Sequence, residues 1–224
     1  MCAMATALKA FAFFMAGIAV IGAMLFLPAG TLDYWQAWLY MAVIFAPIAC
    51  VMVYFLATAP SFLEKRFQMK ENERAQKLVQ KASALIFFIG FLLPGLDKRF
   101  GWSNVPPEVS IAADIVVMLG YGVVFWVFHE NSFAGRTIRV EKGQKVISSG
   151  PYSVVRHPMY LGMLALTLAT PVALGSYWAF SPFLLMVPLL VMRIKNEEEV
   201  LARELEGYTE YCKKVKHRLV PMVW

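Results

Sequence analysis

The stretch Arg156-His157-Pro158 sets two hydrogen-bonding, potentially cationic side chains directly before a proline. Proline favours the first position of a helix, where its missing N–H costs nothing, so a helix is predicted to begin at Pro158. A helix N-terminus offers unpaired N–H groups and a partial positive charge, which favour a carboxylate or phosphate. The alternative is a basic flank that only caps a membrane helix. Further along, Arg193-Ile194-Lys195-Asn196-Glu197-Glu198-Glu199 places Arg193 and Glu197 four apart, on one helical face. They form either an ordinary ion pair on a solvated helix or part of a site. Three consecutive acids among basic surroundings suit a cationic ligand. Tyr208 and Tyr211 lie one helical turn apart, either packed on a neighbouring surface or covering a pocket.

A long polar segment, His129 to Tyr152, precedes these motifs. Long loops between membrane segments are functional or disordered. This one carries β-like pieces, Thr137–Val140 and Lys145–Ile147, and a Gly150-Pro151 turn, so order is expected.

The elements that must position these groups are membrane helices. The chain has 224 residues, 59% hydrophobic and 16% charged, against about 25% charged in soluble domains. No charged residue stands between Lys9 and Asp33, or between Asp33 and Glu64. Each gap is long enough for a helix to cross a bilayer core. The first run is read as a retained helix rather than a cleaved leader, because it is long and a second span follows at once. Six apolar segments are predicted: Leu8–Leu27, Ala37–Ala57, Ala82–Leu96, Val109–Phe128, Met159–Leu174 and Trp178–Met192. The third, fifth and sixth are short; Gly175-Ser176-Tyr177 makes the last two a tight hairpin, kinked at Pro171, Pro182 and Pro188. The organisation is four N-terminal spans over 1–128, then a site-bearing region over 129–224.

With the N-terminus inside, nineteen of the 21 Lys and Arg residues fall on the cytoplasmic side; only Lys98 and Arg99 fall outside. This asymmetry favours both termini in the cytoplasm and an even number of spans. It also accounts for the net charge of +6 without nucleic acid. Tyr34, Trp35, Trp38, Trp102, Tyr177 and Trp178 are expected to form an outer interfacial belt. Asp114, an acid inside the fourth span, is a candidate functional group by its position alone, set near the outer end where water is expected to reach it. Cys2, Cys50 and Cys212 lack metal or redox spacing, and no metal site is expected.

Gly150-Pro151-Tyr152, Arg156-His157-Pro158-x-Tyr160-x-Gly162, Arg193-x-x-x-Glu197-Glu198-x-x-Leu201 and Tyr208-x-x-Tyr211 with Pro221 resemble, in order and spacing, the isoprenylcysteine carboxyl methyltransferase family. Phospholipid N-methyltransferases share a looser version. The resemblance runs from about Glu130 to Trp224, and the chain looks like the short prokaryotic-type members; Gln144 stands where eukaryotic members usually carry His. It implies an all-α, polytopic membrane helix bundle with a cytoplasmic cofactor-binding loop and C-terminal helix, in the inner (plasma) membrane. It also implies S-adenosyl-L-methionine as cofactor, held by Gln144, Lys145, Val146, Ile147, Tyr152, His157, Pro158, Met159, Tyr160 and Glu197, with Thr137 a further contact. Arg193 would hold the substrate and, with Glu197, carry the chemistry.

The expected partners are a lipophilic or lipid-modified substrate arriving from the bilayer, and membrane lipid; nucleic acid is not among them. A carboxylate acceptor needs no base, whereas an amine or phenol would turn to Glu198 or His129. One rival is a membrane sterol reductase, a longer protein with a related C-terminal segment that uses NADPH. Another is a transporter or interaction protein, which the lack of internal repetition disfavours.

Overall fold

The computed structural model describes residues 2–60, 63–64, 74–133, 140 and 143–224. Thr137, and all but Val140 of the first β-like piece, lie outside them. Four long helices come first: α1 (Cys2–Ala29), α2 (Trp35–Thr58), α3 (Arg74–Phe100) and α4 (Pro107–Glu130). They run 28, 24, 27 and 24 residues, about 36–42 Å at the helical rise. All four are long and apolar enough to cross a membrane. The third apolar segment is therefore longer than its sequence pattern indicates: about two helical turns, Arg74 to Lys81, rich in Lys and Arg, precede its apolar run.

A 3₁₀ turn (Gly150–Ser153) leads into α5 (Pro158–Ala173), then come α6 (Phe180–Leu184), α7 (Met186–Glu204) and α8 (Tyr208–Lys214). At 16 residues α5 is shorter than the first four. The sixth apolar segment is not one helix. It breaks at Leu185, because Pro188 has no N–H for the Leu184 carbonyl and its ring crowds that turn. The α5–α6 turn is closed by Gly175 at φ +73. There Gly175 N–H donates to Val172 O (3.0 Å) and Ser176 N–H to Pro171 O (2.9 Å), the paired bonds that end a helix on a left-handed glycine.

A buried polar knot fixes this end of the bundle. Asp97, 2% exposed, accepts from Ser103 N–H (2.6 Å), Ser103 Oγ (2.6 Å) and Ser176 Oγ (2.5 Å). Tyr34 Oη donates to Leu174 O (2.5 Å). Tyr34 is thus buried rather than part of an interfacial belt, because its hydroxyl caps a carbonyl of the α5 end. Trp35, Trp38, Trp102, Tyr177 and Trp178 are exposed near the same end. Asp114 also departs from expectation: it is 3% exposed, and neither carboxyl oxygen has a hydrogen-bond partner among the described residues. Protein, not water, surrounds it.

The site is positioned chiefly by α4 against α5. A Cβ built on Gly162 would lie 2.8 Å from Gly120 O, and one on Gly120 would lie 2.9 Å from Gly162 O. Only paired glycines allow the backbones this close. Gly122, on α4, faces open space. We therefore expect Gly162→Ala to cost about 1–3 kcal/mol through overpacking, read as a lower thermal midpoint in detergent, while Gly122→Ala leaves the midpoint unchanged or raises it.

Candidate functional site

The helix predicted at Pro158 begins there, with His157 as its N-cap. The His157 side chain does not cap its own helix; it turns to Glu198 instead. Two backbone bonds tie this start to the C-terminal tail: Arg156 N–H to His217 O (3.0 Å) and His157 N–H to Arg218 O (2.9 Å). The His157 N–H is therefore already used. The N–H groups of Met159 and Tyr160 have no acceptor among the described residues, and they are the ones left to face a ligand.

Glu198 gathers two arginines and a histidine. Arg218 Nε donates to its Oε2 at 2.7 Å, His157 Nε2 lies 3.3 Å from Oε1, and Arg156 Nε lies 2.8 Å from Oε1 in an ion pair whose N–H is not aimed at the oxygen. Burial alone would push the carboxyl up. Hydrogen bonds from His157 and Arg218, with the Arg156 charge, outweigh it and hold Glu198 below its usual value. So tightly held an anion is a poor proton acceptor, and His129 is exposed on α4 outside the cavity lining. Geometry favours neither as a base.

Glu197 and Arg193 meet through a third residue. Tyr160 Oη donates to Glu197 Oε2 (2.5 Å) and accepts from Arg193 Nε (2.9 Å). The expected i,i+4 pair is thus bridged by a phenol from α5. Tyr152, in the 3₁₀ turn, accepts from Asn131 Nδ2 (2.9 Å). Burial, then the Glu197 charge, pushes its hydroxyl up to about 12, so it stays neutral. The turn is set by Gly150, at φ +54 with the Glu130 carboxyl 3.0 Å from where a Cβ would stand.

One cavity collects these groups. Its lining includes Gln144, Lys145, Val146, Ile147, Tyr152, His157, Pro158, Met159, Tyr160 and Glu197, the full cofactor set that the resemblance implies. Arg193 stands behind this wall, reached through Tyr160. The expected strand at Lys145–Ile147 is absent. That piece runs as irregular chain along the cavity, with no neighbouring strand to pair it among the described residues.

Asn131, Phe133, Arg156, Leu201, Leu205, Tyr208 and Tyr211 also line the cavity; Arg156 and the Tyr208–Tyr211 pair were raised by the sequence as possible donors or a pocket cover, whereas Asn131, Phe133 and Leu205 were not. A signal for two of them was present: Leu201 and Leu205 follow Glu197 at steps of four, so they continue its helical face. Tyr208 and Tyr211 reach the site because Gly207, at φ +82, turns the chain into α8. Tyr211 Oη donates to Tyr152 O at 2.7 Å. Tyr208 is 5% exposed, and its hydroxyl has no partner among the described residues. Burial holds both hydroxyls above the usual phenol range.

Fold and site together define a helical membrane-type bundle with a polar cleft at the α5 N-terminus. Residues 109–206 match the model of the family described as phospholipid methyltransferase. Over 96% of its length the chain superposes on 77% of the solved eukaryotic intramembrane Ras methyltransferase, isoprenylcysteine carboxyl methyltransferase, with a TM-score of 0.53 and 16% identity. Both comparisons meet the resemblance drawn from the motifs, and the family match begins earlier than Glu130, taking in α4. Among curated proteins the chain is similar to the Delta(14)-sterol reductase of Mus musculus, 36% identical over 97 residues, 42% of this chain and 23% of that protein. It is also similar to the Delta(14)-sterol reductase of Methylotuvimicrobium alcaliphilum, 32% identical over 90 residues, 39% of this chain and 21% of that protein. The chain spans less than a quarter of the length of these relatives.

Glu198 yields a pH prediction. Its lowered folded-state pKa makes its stabilisation complete above the usual value of 4.5 and lost as pH falls through the lowered one. Glu198→Gln leaves Arg156 and His157 without their anion and is expected to cost about 2 kcal/mol at neutral pH. Thermal unfolding across pH should show a constant gap between wild type and variant from neutrality to about pH 5, closing below it.

Proposed function

We propose that this protein is an integral-membrane methyltransferase that uses S-adenosyl-L-methionine to methylate a lipophilic acceptor, at a carboxylate oxygen. The supporting observation is the convergence of residues from four separate segments on one cleft with the right chemistry at each end. One end is charged and polar: Glu197, Tyr160, His157 and the unpaired N–H groups at the start of α5. The other is apolar: Val146, Leu201, Leu205 and the ring of Tyr208. The cofactor's carboxylate would take the Met159 and Tyr160 N–H groups. Its amino group would pair with Glu197, its sulfonium would lie against the ring of Tyr152 or Tyr160, and its adenine would lie along Lys145–Ile147.

When bound, the cofactor supplies an electrophilic methyl on a sulfonium; the S–C bond breaks as the acceptor–C bond forms, leaving a thioether. The protein's task is then alignment and exclusion of water. Tyr160 holds Arg193 at Nε and so orients a planar guanidinium suited to a two-point contact with a carboxylate. A carboxylate acceptor needs no base, which agrees with Glu198 being locked and His129 lying outside the cleft. An apolar groove of about 840 Å³ between α1, α2 and α4, walled by Phe14, Phe45, Tyr54 and Phe125, supports access for a lipid chain from the bilayer. The basic segments at the site end support a cytoplasmic location for that end and for both termini.

The reductase relatives favour a second reading, a nucleotide-dependent reduction in the same cleft. One titration separates the two. Calorimetry on the detergent-purified chain should show S-adenosylhomocysteine binding, weakened about 10–100-fold by Glu197→Ala or His157→Ala, each of which removes a charge-assisted contact or its support. Absence of binding, or NADPH binding in its place, would overturn the methyltransferase reading.

A further inference from the structure

The hydroxyl of Tyr208 is buried and has no hydrogen-bond partner among the described residues. Its ring belongs to the apolar end of the cleft, packed in one cluster with Val146, Leu201 and Leu205. Its hydroxyl stands at the boundary with the charged end. It lies within electrostatic reach of Glu198 and Glu197, whose charges oppose its ionisation, and of Arg156, whose charge favours it. Yet it is buried and finds no hydrogen-bond partner among the described residues. Leaving a buried hydroxyl unpaired is unfavourable, so folding alone does not account for its placement. Tyr211, one turn on, shows the contrast: its hydroxyl is satisfied by Tyr152 O.

We infer that Tyr208 hydrogen-bonds a ribose hydroxyl of the nucleoside ligand. This rests on the methyltransferase reading and adds a contact to it. The argument is positional. A purine suits the apolar end and an amino acid the charged end, so whatever joins them must cross the boundary where the Tyr208 hydroxyl stands. In S-adenosylmethionine that joint is the ribose, with vicinal hydroxyls that both donate and accept. A neutral phenol can pair with either role. Because burial keeps this hydroxyl protonated, the contact is independent of pH across the neutral range.

The test is calorimetric, on the full chain in detergent, with S-adenosylhomocysteine and its 2′-deoxy and 3′-deoxy forms. Tyr208→Phe keeps the ring in its cluster and removes only the hydroxyl. It should weaken the parent ligand about five- to tenfold. Wild type should lose the same factor on one of the deoxy ligands, and the variant should lose nothing further on that ligand. Leu205→Ala loosens the same cluster without touching the hydroxyl, so it should weaken parent and deoxy ligands by equal factors. If Tyr208→Phe binds the parent as wild type does, or weakens both deoxy ligands as much as the parent, the ribose contact is wrong while the cofactor site stands. If wild type binds no S-adenosylhomocysteine, the methyltransferase reading falls, and the Tyr208 contact falls with it.

Discussion

The site depends on one half-buried anion. Glu198, on α7, is the point where the approach to α5 and the C-terminal tail are joined, through Arg156, His157 and Arg218. The two arginines would repel one another, and His157 would lose its partner, if the carboxylate were lost. Its neighbour Glu197 faces the cleft and is held by Tyr160. Consecutive acids on one helix point about 100° apart, so one can act as an internal counter-ion while the other faces a ligand. That division explains why the chain carries adjacent acids among so many bases: one sets the frame and the other meets the guest.

The frame is carried through the bundle by close packing rather than by further charge. α4 meets α5 across Gly120 and Gly162, and α1 meets α3 where a Cβ on Gly95 would lie 2.5 Å from Leu25 O. In a bilayer no hydrophobic force pulls helices together, so close van der Waals approach must do so. Hydrogen bonds act mainly at the far end, where Asp97, Ser103, Ser176 and Tyr34 fasten the α5–α6 turn. α5 is thus held at both ends, by an ion cluster beside the cleft and a neutral-donor knot opposite it. A short helix so anchored can present its N-terminal N–H groups in a fixed place.

Much of this was legible in the sequence, for identifiable reasons. Apolar run length reports spans directly, and proline reports a helix start, so α1, α2, α4 and the onset of α5 follow from pattern alone. The start of α3 does not, because a charged amphipathic turn looks like loop when no apolar run marks it. The break at Leu185 depends on which carbonyl Pro188 deprives, a matter of register. Tyr34 has the position and composition of an interfacial aromatic, and only the three-dimensional path of α5 shows that its hydroxyl meets Leu174 O. The cofactor-lining residues were placed by motif resemblance, not by physics. The helix N-terminus argument alone left a plain cap equally open, and it did not foresee that the tail would consume the His157 N–H.

The same scaffold resembles two chemistries: its sequence matches reductases over the C-terminal part, while its fold over nearly the whole chain is that of a methyltransferase. In this chain a helix N-terminus, a counter-ion hub and a close glycine crossing build a polar cleft at the end of the bundle. What distinguishes the chemistries is the charge offered to the ligand. A cleft built around unpaired phosphate-directed cations would suit a dinucleotide. In this cleft Arg156 and His157 are drawn onto Glu198, Lys145 stands exposed at the lining, and a carboxylate, Glu197, is aimed inward, while Arg193, behind the wall, is bonded to Tyr160. That balance suits a ligand with an amino group and a sulfonium better than one with several phosphates. It is the arrangement of charge at Glu197 and Glu198, more than the fold, that tilts the reading toward methyl transfer.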